Sequence, residues 1–163
     1  MTAEQDVGDT VRKARLSRLE RVFVQAPIYF VTANASNRRS ILAVPEIHRA
    51  FLEFAQLGEN RGAFISAYVL MPGHIHLFVA LDPERTLAAW VKSLKNSLSK
   101  TLWNLNVPAP HWQKGFFDHL LRSADSYSQK WEYVRDNPVR GGLASAWLEW
   151  RFSGEVHPLE YRA

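Results

Sequence analysis

The 163-residue chain has no cysteine. That excludes disulfides, thiolate nucleophiles and Cys-ligated zinc. Nowhere does it approach the roughly 20 uninterrupted apolar residues of a membrane span. Its opening segment, MTAEQDVGDTVRKARLSRLERV, carries acids and then bases, without the apolar run of a secretory signal. Fixed-period repeats, low-complexity tracts, Gly/Ser linkers and breaks in composition are also missing. These absences predict one cytoplasmic domain over 1–163, with a core at about 20–145, a basic N-terminal segment and a C-terminal tail. Apolar residues make up 47%, with nine Phe and six Trp, enough to fill a sizeable core.

Twenty Lys and Arg against 16 Asp and Glu leave a net charge of +4. The excess is modest but locally concentrated. Arg12, Lys13, Arg15 and Arg18 crowd one segment, Lys92, Lys95 and Lys100 recur through another, and Arg122 follows an apolar stretch. Such runs are ordinary on solvated helix faces. They also suit a polyanionic partner, of which nucleic acid is the commonest, and these eight residues are the candidate phosphate contacts.

The apolar pattern alternates between strand and helix periods. PIYFVTAN (27–34) is β-branched and aromatic, and the two apolar runs at 64–71 and 74–81 flank Pro72-Gly73 as a hairpin. A helical period starts near Pro45 and stops by Gly58, and another places Leu87, Val91, Leu94, Leu98 and Leu102 on one stripe over 86–102. GFFDHLLRS supplies a fourth strand at 116–122, and a third helix opens on the cap-type residues of SADS and runs until Pro138. The order predicts an α+β, ferredoxin-like or RRM-like split βαβ. Its four-stranded antiparallel sheet carries two helices on one face, and the tyrosine-bearing C-terminal helix crosses the other.

MPGHIHLFV (71–79) spends two of six histidines in one strand-like segment. Alternation puts His74 and His76 on one face, with Ile75, Leu77 and Val79 on the opposite face. The pair is either two ligands for one ion or two polar residues on a solvated face. WEYVRDNPVRGG bears on the choice, because Tyr133 and Asn137, at i and i+4, share one side of the last helix. Two imidazoles, an amide oxygen and a nearby phenol make a site for a divalent metal acting on a phosphodiester. Asp118 is a candidate to orient a metal-bound histidine. Trp112, in the polar loop PHWQKGFF, is a candidate to stack a base. Tyr68 and Tyr127 read as packing residues.

YVLMPGHIHLFV, then FFDHLLR about fifty residues later, then YVRDNPVRGGLA, together resemble the REP-associated tyrosine transposases of the HUH single-tyrosine group. The resemblance covers roughly residues 20 to 145. It implies that His74 and His76 bind Mg²⁺ or Mn²⁺ and that Asn137 is the third ligand, with Gln129, one turn before the tyrosine, as fallback. It implies that Tyr133 is the nucleophile toward single-stranded DNA hairpins of the REP/BIME type, leaving a 5′-phosphotyrosine, in a monomer or homodimer. Two features depart from the pattern or strain it. Family members usually carry Asn at the position of Gly73, and Pro138 disfavours the α region at Asn137, which would then cap the helix instead of reaching the ion. The alternative is a module of the same fold that grips a DNA or RNA hairpin without turning it over.

Overall fold

A computed structural model describes residues 28–158. Arg12, Lys13, Arg15 and Arg18 lie outside the described residues. β1 (Ile28–Asn34), β2 (Ala63–Leu70), β3 (His74–Leu81) and β4 (Phe117–Leu121) pair antiparallel in the order β4-β1-β3-β2. This is the expected split βαβ, with boundaries within one residue of the apolar runs. β5 (Ser153–Glu155) adds a fifth strand outside β2. Its sequence, SGE, carries none of the branched or aromatic residues that announce a strand, so the four-strand expectation missed it. Gly154 matters here for its smallness: a Cβ at this position would stand 3.1 Å from the Tyr68 hydroxyl.

Helix α1 (Pro45–Gly58) starts on a proline, whose fixed φ suits a first turn. Helix α2 (Leu87–Asn104) is capped by the Thr86 side chain, which accepts from the Ala89 N–H. Ile47, Phe51 and Ala55 of α1 and Trp90, Val91, Leu94, Leu98 and Leu102 of α2 form one core with Val31, Ile75, Leu77, Val79 and Leu81 of the sheet. The opposite sheet face packs Ile28, Phe30, Phe64, Val69, Phe78, Ala80 and Leu121 under α3 (Ala124–Arg135), through Tyr127, Trp131 and Val134.

A bulge between Ile65 and Tyr68 adds a residue to β2. It leaves both of those side chains in the α1/α2 core while Ser66 bonds the Tyr127 hydroxyl under α3, at 2.9 Å. Pro138 does not end a continuous helix as its position suggested. α3 stops at Arg135, Asp136 takes φ −85° and ψ 1°, and Asn137–Arg140 begin a separate turn, α4, with the proline in its first positions. A missing N–H is harmless there, because the first N–H groups of a helix have no partner within it.

Candidate functional site

β3 is buried along its length except at its start, where His74 and His76 are only half-buried. The two rings lie 4.7 Å apart between centroids, at 71°. His76 is fixed by two neighbours. Its Nδ1 is 2.8 Å from the hydroxyl of Thr32, its cross-strand neighbour, so a ligand approaching the ring meets Nε2. Its ring stacks on Phe30 at 5.4 Å, and the Lys130 amine stands 4.7 Å over Phe30. Burial, reinforced by His74, Lys130, Arg140 and Arg38, pushes the His76 imidazole down to about 3. Burial and then Arg38 lower His74 as well. Both rings are therefore neutral at pH 7, the form that offers a lone pair to a metal.

Thr32, and not Asp118, orients His76. Asp118 lies across from Val31, and opposed residues of antiparallel strands share a face, so it belongs with the α1/α2 side. The same register puts Phe117 in one row with Thr32 and His76, and Phe117 is 63% exposed.

Tyr133 on α3 is 61% exposed, and the Arg140 guanidinium sits 4.0 Å over its ring. Other tyrosines serve packing. Tyr127 is bonded to Ser66, and burial raises its phenol. Tyr68 bonds His48 at 2.7 Å in the α1/α2 core, where burial pushes it up to about 12. Asn137 opens α4, and no side-chain bond caps that helix start. Gln129 is exposed on α3.

The candidate phosphate contacts do not gather around the histidines. Lys92 and Lys100 are exposed on α2, which covers the far face of the sheet. The Lys95 amine donates to the carbonyls of Gln113 and Gly115, tying down that loop, and burial lowers its pKa. Trp112 is also committed: its indole N–H bonds Lys95 O and Ser99 Oγ and its ring packs against the core, so it is no base-stacking platform. Arg122 is exposed just after Leu121, which pairs with Ile28, four residues along β1 from Thr32. That offset is about 13 Å.

Three cations that the sequence reading passed over lie near the pair: Arg38, Lys130 and Arg140. Arg38 stands on a left-handed turn, with φ 54° at Asn37 and 51° at Arg38. The turn packs so tightly on the residue before His74 that a Cβ on Gly73 would lie 2.8 Å from the Arg38 carbonyl oxygen. Glycine is thus required at 73, where an asparagine would push the turn aside. The available signal was NASNRRS, a turn-forming stretch with adjacent arginines.

Among the described residues, no three His, Cys, Asp or Glu side chains cluster as a metal site. The donors present are the two imidazoles and one amide. Asn34 lies across from His74 on the same face, 5% exposed, and its Oδ1 is buried without a hydrogen-bond partner. An orphaned buried acceptor is costly unless something fills it. Two neutral imidazoles beside an amide oxygen form a mixed N/O donor set that fits a divalent ion without selecting which one.

Comparisons with known proteins agree with this fold. The REP-associated tyrosine transposase of Escherichia coli K12 is 24% identical over 139 residues, covering 85% of this chain and 82% of that protein. A Haemophilus influenzae Rd relative is 24% identical over 164 residues, covering 90% of this chain and 93% of its own. A solved REP-associated tyrosine transposase, bound to a REP hairpin, shares the fold with a TM-score of 0.65 at 24% identity, over 78% of this chain and 75% of that one. Among the described residues, no helix is long and apolar enough to cross a membrane. The family described as "Transposase IS200 like" matches residues 24–137, from the approach to β1 through the histidine strand to the end of the tyrosine helix, and this chain belongs to it.

Proposed function

We propose that the chain is a metal-dependent single-strand DNA endonuclease and strand transferase acting on REP-type hairpins. The observation that carries this reading is the exposed Tyr133, joined through Arg140 to the face that holds the two neutral histidines. His74 and His76 would hold the ion, with an amide oxygen from Asn34 or Asn137 as a further donor. A bound Mg²⁺ or Mn²⁺ supplies charge withdrawal from the non-bridging oxygens of the scissile phosphate.

The chain's own groups do the rest. Tyr133 Oη gives its proton to water and attacks phosphorus, the bond to O3′ breaks, and O3′ takes a proton from water and leaves as a free 3′-hydroxyl while the 5′-phosphate stays on the tyrosine. The phosphodiester energy is kept in that ester, so a second 3′-hydroxyl can reverse the step and join strands without a nucleotide cofactor. Arg140, stacked on the phenol ring, would restrain it for attack. Thr32 and Phe30 keep His76 in one orientation. Phe117, exposed in the same row, offers a ring on which an unpaired base can stack.

Incubating the protein with a hairpin oligonucleotide and Mn²⁺, then resolving the products on a denaturing gel, tests the reading. A covalent protein–DNA adduct is expected, and Tyr133→Phe should remove it while hairpin binding survives. Binding without any adduct would leave the chain a hairpin-binding module. An adduct formed by the Tyr133→Phe protein would overturn the choice of nucleophile.

A further inference from the structure

The cations around the histidine face belong to none of the basic runs of the sequence. Lys130 reaches from α3 to 4.7 Å above the Phe30 ring, which stacks on His76 at 5.4 Å. Arg140 of α4 covers the Tyr133 ring at 4.0 Å. Arg38 is exposed on the left-handed turn whose carbonyl abuts Gly73, next to His74. Non-glycine residues with positive φ persist only where surrounding structure holds them, and they collect at functional sites. Against these three charges, the ligand set consists of neutral imidazoles and amides, with no carboxylate cluster among the described residues.

Among the described residues, a divalent ion entering this place alone would meet three positive charges and no anionic ligand. Unit charges a few ångströms apart are far from negligible near a protein surface. A phosphodiester reverses the balance. The cations attract it, and its oxygens are the hard anionic donors that Mg²⁺ and Mn²⁺ take from substrate phosphates.

We propose that Arg38, Lys130 and Arg140 form a phosphate clamp and that, because of it, the metal binds the protein–DNA complex much more tightly than the free protein. This rests on the reading above that the face holds a metal and single-stranded DNA. Linkage then requires the metal to tighten DNA binding by the same factor. Metal occupancy becomes a consequence of substrate occupancy, so the free protein carries no armed site.

The test uses Tyr133→Phe protein, which keeps the aromatic ring under Arg140 and cannot turn over. Mn²⁺ binding is titrated by electron paramagnetic resonance with and without a single-stranded hairpin oligonucleotide, after subtracting ion held by the oligonucleotide alone. About tenfold or greater tightening is expected with DNA. The same oligonucleotide with uncharged methylphosphonate linkages in its unpaired part should lose most of that gain. Arg38→Gln, Lys130→Gln and Arg140→Gln should each strengthen Mn²⁺ binding to the free protein and shrink the gain from DNA. Equal Mn²⁺ affinity with and without DNA, or an equal gain from the uncharged oligonucleotide, overturns the clamp; the oligonucleotide arm needs no variant to fold. Coupling without any wild-type adduct would uphold the clamp and sink the chemistry, and an adduct without coupling would do the reverse.

Discussion

The two faces of one sheet carry different loads. Beneath α1 and α2 the strands present Val31, Ile75, Leu77 and Val79, closed over by Phe51, Leu94 and Leu98, all essentially inaccessible to water. Beneath α3 the same strands present Phe30 and Phe78 and then, toward the start of β3, Thr32, His76, His74 and Asn34. α3 packs on this face through Tyr127, Trp131 and Val134. Apolar packing dominates one face, and the candidate site lies at the end of the other. The sheet can therefore hold buried polar donors in place, because the opposite face supplies the packing that their desolvation costs.

Neighbouring residues of β3 give the most direct way to break this comparison. His76→Ala should lower adduct formation by the largest factor, since one of two imidazoles is lost, and excess Mn²⁺ should restore part of it. A rate unchanged at limiting Mn²⁺ would remove His76 from the site. Leu77→Ala, one residue on and facing the other way, should instead cost about 2–5 kcal/mol of stability by opening a cavity in a closed core. Urea unfolding that shifted by less than 1 kcal/mol would show that the α1/α2 face is not the stabilising one.

The polar end should also make stability depend on pH. His76 has a folded pKa of about 3, below its ordinary value of 6.5, so between those limits the unfolded chain binds the extra proton. The contribution is fully present above pH 6.5 and is lost as pH falls, by up to about 1.4 kcal/mol per pH unit from this one group. Urea unfolding of the metal-free protein at pH 7, 6 and 5 reads this slope, and His76→Gln should flatten it. If the slope survived in His76→Gln, another group would be responsible.

Tyr127→Phe gives the smallest effect. Its hydroxyl bonds the fully buried Ser66 at 2.9 Å, so the substitution should cost about 1–2 kcal/mol while adduct formation persists. Loss of the adduct at unchanged stability would place Tyr127 in the site.

By itself the sequence determined the strands, the two covering helices and the facing of the histidines, because period-2 and period-3.6 patterns record which side of an element is buried. It did not foresee that Asp136 breaks the last helix, so that Tyr133 stands on α3 and Asn137 opens a separate turn, α4. It could not announce β5, whose three residues pair only because β2 has a free edge and Gly154 clears Tyr68. Only tertiary structure decided which charges stand near the histidines. Lys92, Lys95, Lys100 and Arg122 were conspicuous as basic residues in the sequence, yet packing put the first three on the far-side helix and the fourth down the strand. Arg38, Lys130 and Arg140 are scattered over a hundred residues of chain and meet only when a left-handed turn, a long helix and a short one close over the same strand end. Charge acts across space within a few ångströms, and sequence order does not report that distance.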